Sequence, residues 1–439
     1  MLKLISITFL LFLFSCKPNT ASEGVSPSTS PSPSPTPSPA PAPSPTPAPT
    51  GWVATPGALT NGTWHDPAEL PDVGHAGAYG GIAVAPNNDV YLFYQTGAFP
   101  NENLQSVIRR SGGSSWSAEY FVANRCRLAN VYFDNNQPYI ATESGGSAVV
   151  YTSANYTNNA PQVVTWNMQQ CFQASDGNPD GYGVYGNAFL TKYQSNFHLF
   201  HTYLYYSAVT GASLWGMNLI SQSASAWPAA GSFGTPLDNY KLVPYIIFPH
   251  GATGAYNDGA GKFLAFSKIA LRSTDSAANF SQIMNSGTDA NDLNGVIATC
   301  QNSADGSIVV ANRYFASMSY KLALWGTQDF GSNFYKLNEL SYGSEPKRGT
   351  MTCTKNLIIF AYTIDSGSGE KEIHYSKSAD GGQTWSAAAT LVDVTNANAN
   401  PTYSVGSLAL SSNTSGTVVV TYSVVEGNTH RGVYVKEFY

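Results

Sequence analysis

The chain alternates short apolar runs with polar, glycine-rich turns, and the runs recur at intervals of roughly 50 residues. The most apolar stretches are Val90–Tyr94, Tyr139–Ala141, Phe197–Phe200, Phe263–Phe266, Ile308–Ala311, Leu357–Phe360 and Val418–Tyr422. Ahead of each lies a strand of small residues, such as Gly81–Val84, Gly349–Thr352 or Gly406–Ala409. Behind several lies an alternating strand, as in Ile269–Arg272, Leu322–Trp325 and Ile373–Ser376. Runs of β-branched and aromatic residues bounded by Gly, Asn and Asp are strand signals, and no stretch carries a capped 3.6-residue period. The pattern predicts an all-β chain of seven repeating units.

Turns supply a second repeat. Ser378-Ala379-Asp380-Gly381-Gly382-Gln383-Thr384-Trp385, Thr327-Gln328-Asp329-Phe330-Gly331-Ser332-Asn333-Phe334 and Ser273-Thr274-Asp275-Ser276-Ala277-Ala278-Asn279-Phe280 share one form: Ser/Thr-x-Asp-x-Gly-x-Thr/Asn-aromatic. Only Ala277 departs from it. Weaker copies stand at Ser111–Trp116, Thr165-Trp166 and Ser225–Trp227. A short Asp side chain accepts N–H bonds within its own turn, Gly supplies a positive φ, and the aromatic packs beneath. Asp275, Asp329, Asp380 and Trp385 are therefore expected to be structural.

The motif resembles the Asp box of the bacterial neuraminidase repeat. The resemblance implies a single β-propeller of four-stranded blades over 51–439, with each box joining the third strand to the fourth. Seven blades are expected, with six, the number in sialidases, as the alternative. The last unit ends at Tyr439 after three strands, and Trp52 sits where a box aromatic would. An amino-terminal strand would thus complete the last blade and close the ring, which limits exposed strand edges.

Residues 1–15 read as an export signal, with Lys3 ahead of the apolar run Leu4–Phe14, which is too short to span a bilayer. Leu13-Phe14-Ser15-Cys16 resembles a bacterial lipoprotein lipobox, which implies lipidation of Cys16 and a membrane partner, with an outer-membrane or cell-surface location. The rest of 16–50 is a linker; from Ser26 to Thr50 it is almost all Pro, Ser, Thr and Ala, a composition that favours polyproline II.

Charge and cysteine content narrow the partners. A net charge of −6 without a basic stripe argues against nucleic acid. Beyond Cys16 there are four cysteines, Cys126, Cys171, Cys300 and Cys353, and an even count in an oxidising compartment suggests disulfides. Pairs 126–171 and 300–353, each spaced near one repeat, are expected to staple neighbouring blades. No Cys/His ligand spacing suggests zinc, and no cofactor is expected. Asp176, Asn178 and Asp180 have the alternation of a Ca²⁺ loop, although Asn187 stands where a glutamate would close it.

In a propeller the loops entering the first strand and those between the second and third surround the channel mouth. The first set contributes His75, Tyr79, Arg127, Tyr182, Tyr185, His250, Asn294, Glu345 and Arg348; the second contributes Gln95, Glu143, His201, Lys268, Arg313, Asp365 and Glu426, with His430 and Arg431. Tyr and His stack on sugars, and Arg grips carboxylates in a fork. The sialidase Arg-Ile-Pro motif is absent: the corresponding strand begins Tyr79-Gly80-Gly81-Ile82. Arg313, Arg348 and Arg431 with Glu345 are the candidates for a catalytic or carboxylate-binding group. The expectation is an envelope-anchored propeller binding glycan or protein at its mouth, or alternatively a sialidase-like glycosidase with diverged residues.

Overall fold

The computed structural model describes residues 81–438 except 97–102, 113–115, 125, 145–146, 154–166, 173–181, 207–212, 224–253, 267–269, 284–295, 304, 317–318, 343–344, 355–356, 366–368, 398–400 and 428. The described residues belong to one compact unit, 48–439. The export signal, Cys16, the linker and the Trp52 strand lie outside the described residues.

Among the described residues the chain forms seven antiparallel sheets in sequence order. The first holds β1 (Gly81–Val84), β2 (Val90–Thr96), β3 (Asn103–Arg109) and β4 (Tyr120–Asn124). The second holds β5 (Cys126–Asp134), β6 (Gln137–Ser144), β7 (Ser147–Thr152) and β8 (Asn167–Phe172). The third has three described strands, β9 (Tyr182–Tyr193), β10 (Asn196–Tyr206) and β11 (Ser213–Ser223). In the fourth are β12 (Gly254–Asn257), β13 (Phe263–Phe266), β14 (Ala270–Ser273) and β15 (Ser281–Ile283). The fifth contains β16 (Val296–Gln301), β17 (Ile308–Ala316), β18 (Ser319–Thr327) and β19 (Tyr335–Tyr342). The sixth contains β20 (Glu345–Thr354), β21 (Leu357–Asp365), β22 (Glu370–Ser378) and β23 (Ala389–Asp393), followed by the short helix α1 (Val394–Ala397). The seventh has β24 (Tyr403–Ser412), β25 (Val418–Glu426) and β26 (Thr429–Phe438). No helix among the described residues is long and apolar enough to cross a membrane.

The predicted apolar runs are the second strand of each sheet. These strands are apolar on both faces because each is sandwiched between its neighbours; Phe263–Phe266 and Ile308–Ala311 are wholly buried. One core joins Ile82, Leu92 and Tyr94 of the first sheet to Val419, Val433 and Val435 of the seventh. First and last sheets therefore pack directly on each other. The small-residue strands lie innermost and pack close: a Cβ on Gly349 would come within 2.9 Å of Ile297 Cδ1. The first strands of all seven sheets line one cavity of about 330 Å³, with Ala83, Asn130, Leu190, Tyr256, Thr299, Thr350 and Ser411 among its walls. Meandering sheets whose inner strands share a central cavity make this a β-propeller.

The three boxes join the third strand to the fourth, between β14 and β15, β18 and β19, and β22 and β23. Each Asp is consumed by its own turn. Asp275 Oδ1 accepts from Asn279 N at 2.9 Å and Oδ2 from Asn279 Nδ2 at 2.7 Å. Asp329 does the same with Asn333, and Asp380 with Thr384 N and Oγ1. The aromatics reach further than their own turn. Phe280 meets Phe200 of the preceding sheet edge-on at 5.9 Å, and Phe330 and Phe334 share a core with Leu264 and Phe266. Of the weaker copies, Ser111 N donates to Asp89 at 2.8 Å, so a residue from an earlier turn replaces the missing box Asp.

Cys300 and Cys353 form a disulfide between inner strands β16 and β20 of neighbouring sheets, with Cα atoms 5.6 Å apart. The expected partner pair is corrected. Cys126 lies on β5 and Cys171 on β8, the first and fourth strands of one sheet with β6 and β7 between them. Three strand spacings amount to about 14 Å, beyond the ~7 Å reach of a disulfide.

Candidate functional site

Among the described residues, the cavity walls contain no Asp, Glu, Lys, Arg or His. The charged residues described near it stand at its ends. At the end away from the boxes, the first strands carry register shifts, at Cys126/Ala129, Val296/Ala298, Pro346/Gly349 and Val405/Ser407. A bulge bends its strand and re-aims the residues it contains.

The sixth sheet shows what this does. Glu345 on β20 pairs with Asp365 on β21, which pairs with Glu370 on β22. The backbone pairing puts three acidic residues in one row across adjacent strands about 5 Å apart, and the Glu345 side chain lies outside the described residues. Such a row repels itself unless cations intervene. Lys347 Nζ stands 3.9 Å from Asp365 Oδ2, and Arg348 Nε donates to Glu370 Oε2 at 2.9 Å. The backbone N–H of Arg348 donates to Thr363 Oγ1 at 3.1 Å, and the Thr363 hydroxyl donates to Glu370 Oε2. From the fifth sheet, Arg313 Nη1 donates to Pro346 O at 2.8 Å. A guanidinium held through Nε presents its terminal nitrogens outward, and the Arg348 side chain is 39% exposed.

Sequence reasoning named Arg313, Arg348, Glu345 and Asp365, and the fold brings all four to one corner. It missed Lys347, Thr363 and Glu370. Their signal was local charge density: a chain with 11% charged residues places Glu345, Lys347, Arg348, Asp365, Glu370, Lys371 and Glu372 within one hairpin pair. Arg431 falls in the register shift of the seventh sheet between Val424 and Val425, and its side chain lies outside the described residues. Arg127 occupies the corresponding shift on β5, and Tyr182 begins β9 with Tyr185 three residues on. Gln95 and His201, read as mouth residues, are buried inside the sheets. His75, Tyr79, His250 and the Asp176–Asn178–Asp180 turn lie outside the described residues. Among the described residues no group of three or more His, Cys, Asp or Glu can hold a metal ion.

The box aspartates are excluded from proton chemistry by their turns. Hydrogen bonds from the Asn279 side chain and N–H and from Ser273 bring Asp275 down to about 2. Partial burial raises Asp329 and Asp380, but the bonds from Asn333 and Thr327, and from Thr384 and Ser378, outweigh it and leave both below the ordinary value. Groups ionised this firmly make poor general acids.

No family model matches the chain, and no curated protein matches it. Solved structures do resemble it. An α-L-arabinanase of Penicillium chrysogenum complexed with arabinobiose is 13% identical at a TM-score of 0.41, over 87% of this chain and 98% of that one. The phage phi92 endosialidase is 8% identical at a TM-score of 0.43, over 86% of this chain and 69% of that one. An ulvan lyase representing a new polysaccharide lyase family is 11% identical at a TM-score of 0.37, over 81% of this chain and 77% of that one. No activity passes to this chain from likenesses at this level.

Proposed function

We propose that this chain is an exported, lipid-anchored propeller that binds glycan at the end of its cavity away from the boxes. The signal at 1–15, the lipidated Cys16 and the Pro/Ser/Thr/Ala linker would hold the domain off an outer membrane or cell surface. Seven blades, the last completed by a strand from 51–80 beside β26, are the blade count that goes with this reading.

The observation that carries it is the corner where Arg313, Lys347 and Arg348 meet the row Glu345, Asp365 and Glu370. Forked cations and carboxylates at one rim match the hydroxyl and carboxylate groups of a sugar chain. The test is binding of the full chain to an oligosaccharide panel. Arg348→Ala is expected to weaken binding of acidic members by about tenfold or more. Wild-type protein that retains no oligosaccharide would sink the reading.

A second reading, glycoside hydrolysis, is favoured by the pairing of Glu345, Asp365 and Glu370 on adjacent strands, since glycosidases work with two carboxyl groups about 5–10 Å apart. Turnover of fluorogenic glycosides that Glu345→Gln abolishes would put hydrolysis first.

A further inference from the structure

The strand that carries Lys347 and Arg348 is tied on both faces. Alternate residues of β20 point to opposite sides. Thr350, Thr352 and Thr354 face the seventh sheet. Thr350 Oγ1 accepts from Leu410 N at 3.0 Å, Thr352 Oγ1 shares a bond with Ser412 Oγ at 2.6 Å, and Thr354 Oγ1 donates to Asn413 O at 2.5 Å. Gly349, Met351 and Cys353 face the fifth sheet. Met351 and Cys353 share a core with Ala298 and Cys300, and the Cys300–Cys353 disulfide makes that side covalent.

Beyond Gly349 the register with β21 shifts, and Lys347 and Arg348 occupy the shift. A bulge disrupts the ladder, so its residues are aimed by whatever else holds the strand. Here Arg313 Nη1 of the fifth sheet donates to Pro346 O at 2.8 Å, and Arg348 N donates to Thr363 Oγ1 at 3.1 Å. Cys353 pairs with Ile358 and Pro346 with Ile364, so the disulfide and the Arg313 bond grip one seam at two levels about 20 Å apart. A single tie would let β20 pivot against the fifth sheet; two fix both its level and its angle.

We propose that the Cys300–Cys353 disulfide and the row Thr350, Thr352 and Thr354 are positioning residues that hold Arg348 aimed at an anionic group of the glycan. A guanidinium already aimed loses less affinity to ordering, which is what a rigid support contributes to a site. The inference rests on the glycan-binding reading and adds to it the part of the scaffold on which affinity at the corner depends.

Hydrogen exchange, with calorimetry on hexagalacturonate, tests it on the full chain well below its melting temperature. The double variant Cys300→Ala, Cys353→Ala is expected to speed exchange at the Arg348 N–H and to weaken hexagalacturonate, each by about tenfold. Thr350→Val serves if that variant fails to fold: it is expected to shift both readings the same way, and Thr350→Ser, which keeps the hydroxyl, to restore them. Gly331→Ala crowds a box turn of the fifth sheet away from β20 and is expected to change neither. Wild-type exchange at Arg348 in the disulfide-free protein overturns the positioning, as does faster exchange with unchanged affinity. Equal losses in Gly331→Ala overturn it too, as general softening. If wild type binds no hexagalacturonate, the acidic-glycan reading fails by itself, and exchange at Arg348 still decides the positioning.

Discussion

At the glycine place of the box the backbone φ is positive in all three copies: 68° at Ala277, 79° at Gly331 and 100° at Gly382. An L-residue there costs roughly 1 kcal/mol. Ala277 bears that cost because its methyl is buried in a core with Phe200 and Leu271. Gly331 has no such room: a Cβ would lie 2.8 Å from Ile283 Cδ1 and 2.9 Å from Leu264 Cδ2. Gly331→Ala is therefore expected to lower stability by about 2–3 kcal/mol in denaturant titration. Gly259→Ala, at φ 71° with nothing within 4 Å, isolates the backbone part at about 1 kcal/mol.

His198 gives the residue scale its pH dependence. Burial in the seam between the third and fourth sheets, 4.9 Å from the Phe263 ring, lowers its pKa from 6.5 to about 4. The unfolded chain thus binds the proton more readily, and stability rises with pH across that window. The contribution is complete above pH 6.5 and is lost as pH falls toward 4, amounting to about 3 kcal/mol at most. His198→Phe is expected to flatten the stability curve between pH 4 and 6.5. The fall caused by the box aspartates lies lower, since Asp275 titrates at about 2. A variant curve parallel to wild type over the upper window would remove His198 from this role.

At the scale of the strand, the apolar run of the second strand ends in a buried polar residue in six of the seven sheets: Gln95, Thr142, His201, Asn312, Thr363 and Ser423. Thr142, His201, Asn312 and Ser423 pair with the first strand at the edge of its register shift, opposite Ala129, Ala188, Val296 and Ser407. A bulge leaves backbone groups without ladder partners, and a polar side chain opposite can satisfy them. Thr363 does so visibly, accepting from Arg348 N while donating to Glu370. Thr363→Val keeps the volume and removes both bonds. It is expected to cost about 1–3 kcal/mol and to weaken any ligand held by Arg348, read as a lower melting temperature together with lost affinity. The strands, their order and the box corners were legible in the sequence because burial on both faces writes a continuous apolar run. The polar residues that end six of these runs were equally visible. Their meaning was not, since a loop residue and a buried bulge partner look alike until register is known; Gln95 and His201 were misread for that reason. Cys126 and Cys171 failed on the same ground, because spacing along the chain does not say whether two positions lie across a seam or across a sheet.

At the scale of the molecule, neighbouring inner strands belong to different sheets, and side chains tie most of the seams. Tyr256 bonds Thr299 at 2.8 Å, Asn257 bonds Thr191 at 2.6 Å, and Thr350 accepts from Leu410 N at 3.0 Å. The seam between first and last sheets joins residues more than 300 positions apart, so its closure carries the largest loop-entropy cost. Asn413 ties this seam to its own turn. Its Nδ2 donates to Ala85 O at 3.0 Å and to Asn88 Oδ1 at 2.6 Å, while its Oδ1 accepts from Ser415, Gly416 and Thr417 N, each at 3.1 Å. Ser411 adds a bond from Val84 N at 3.1 Å. Asn413→Ala removes the side-chain bonds to Ala85 O and Asn88 and takes the side-chain acceptor from the Ser415 and Thr417 N–H groups, while Ala85 O keeps its bond from Asn88 N, an expected loss of about 2–4 kcal/mol. Thr350→Val, which removes one bond at an interior seam, is expected to cost about 1 kcal/mol. Hydrogen exchange separates a seam defect from general softening. With Asn413→Ala, protection is expected to fall first in β1 and β24, while β13 and β17 at the far side keep wild-type rates. Uniform loss of protection would mean that the seam has no independent stability and that the sheets open as one unit.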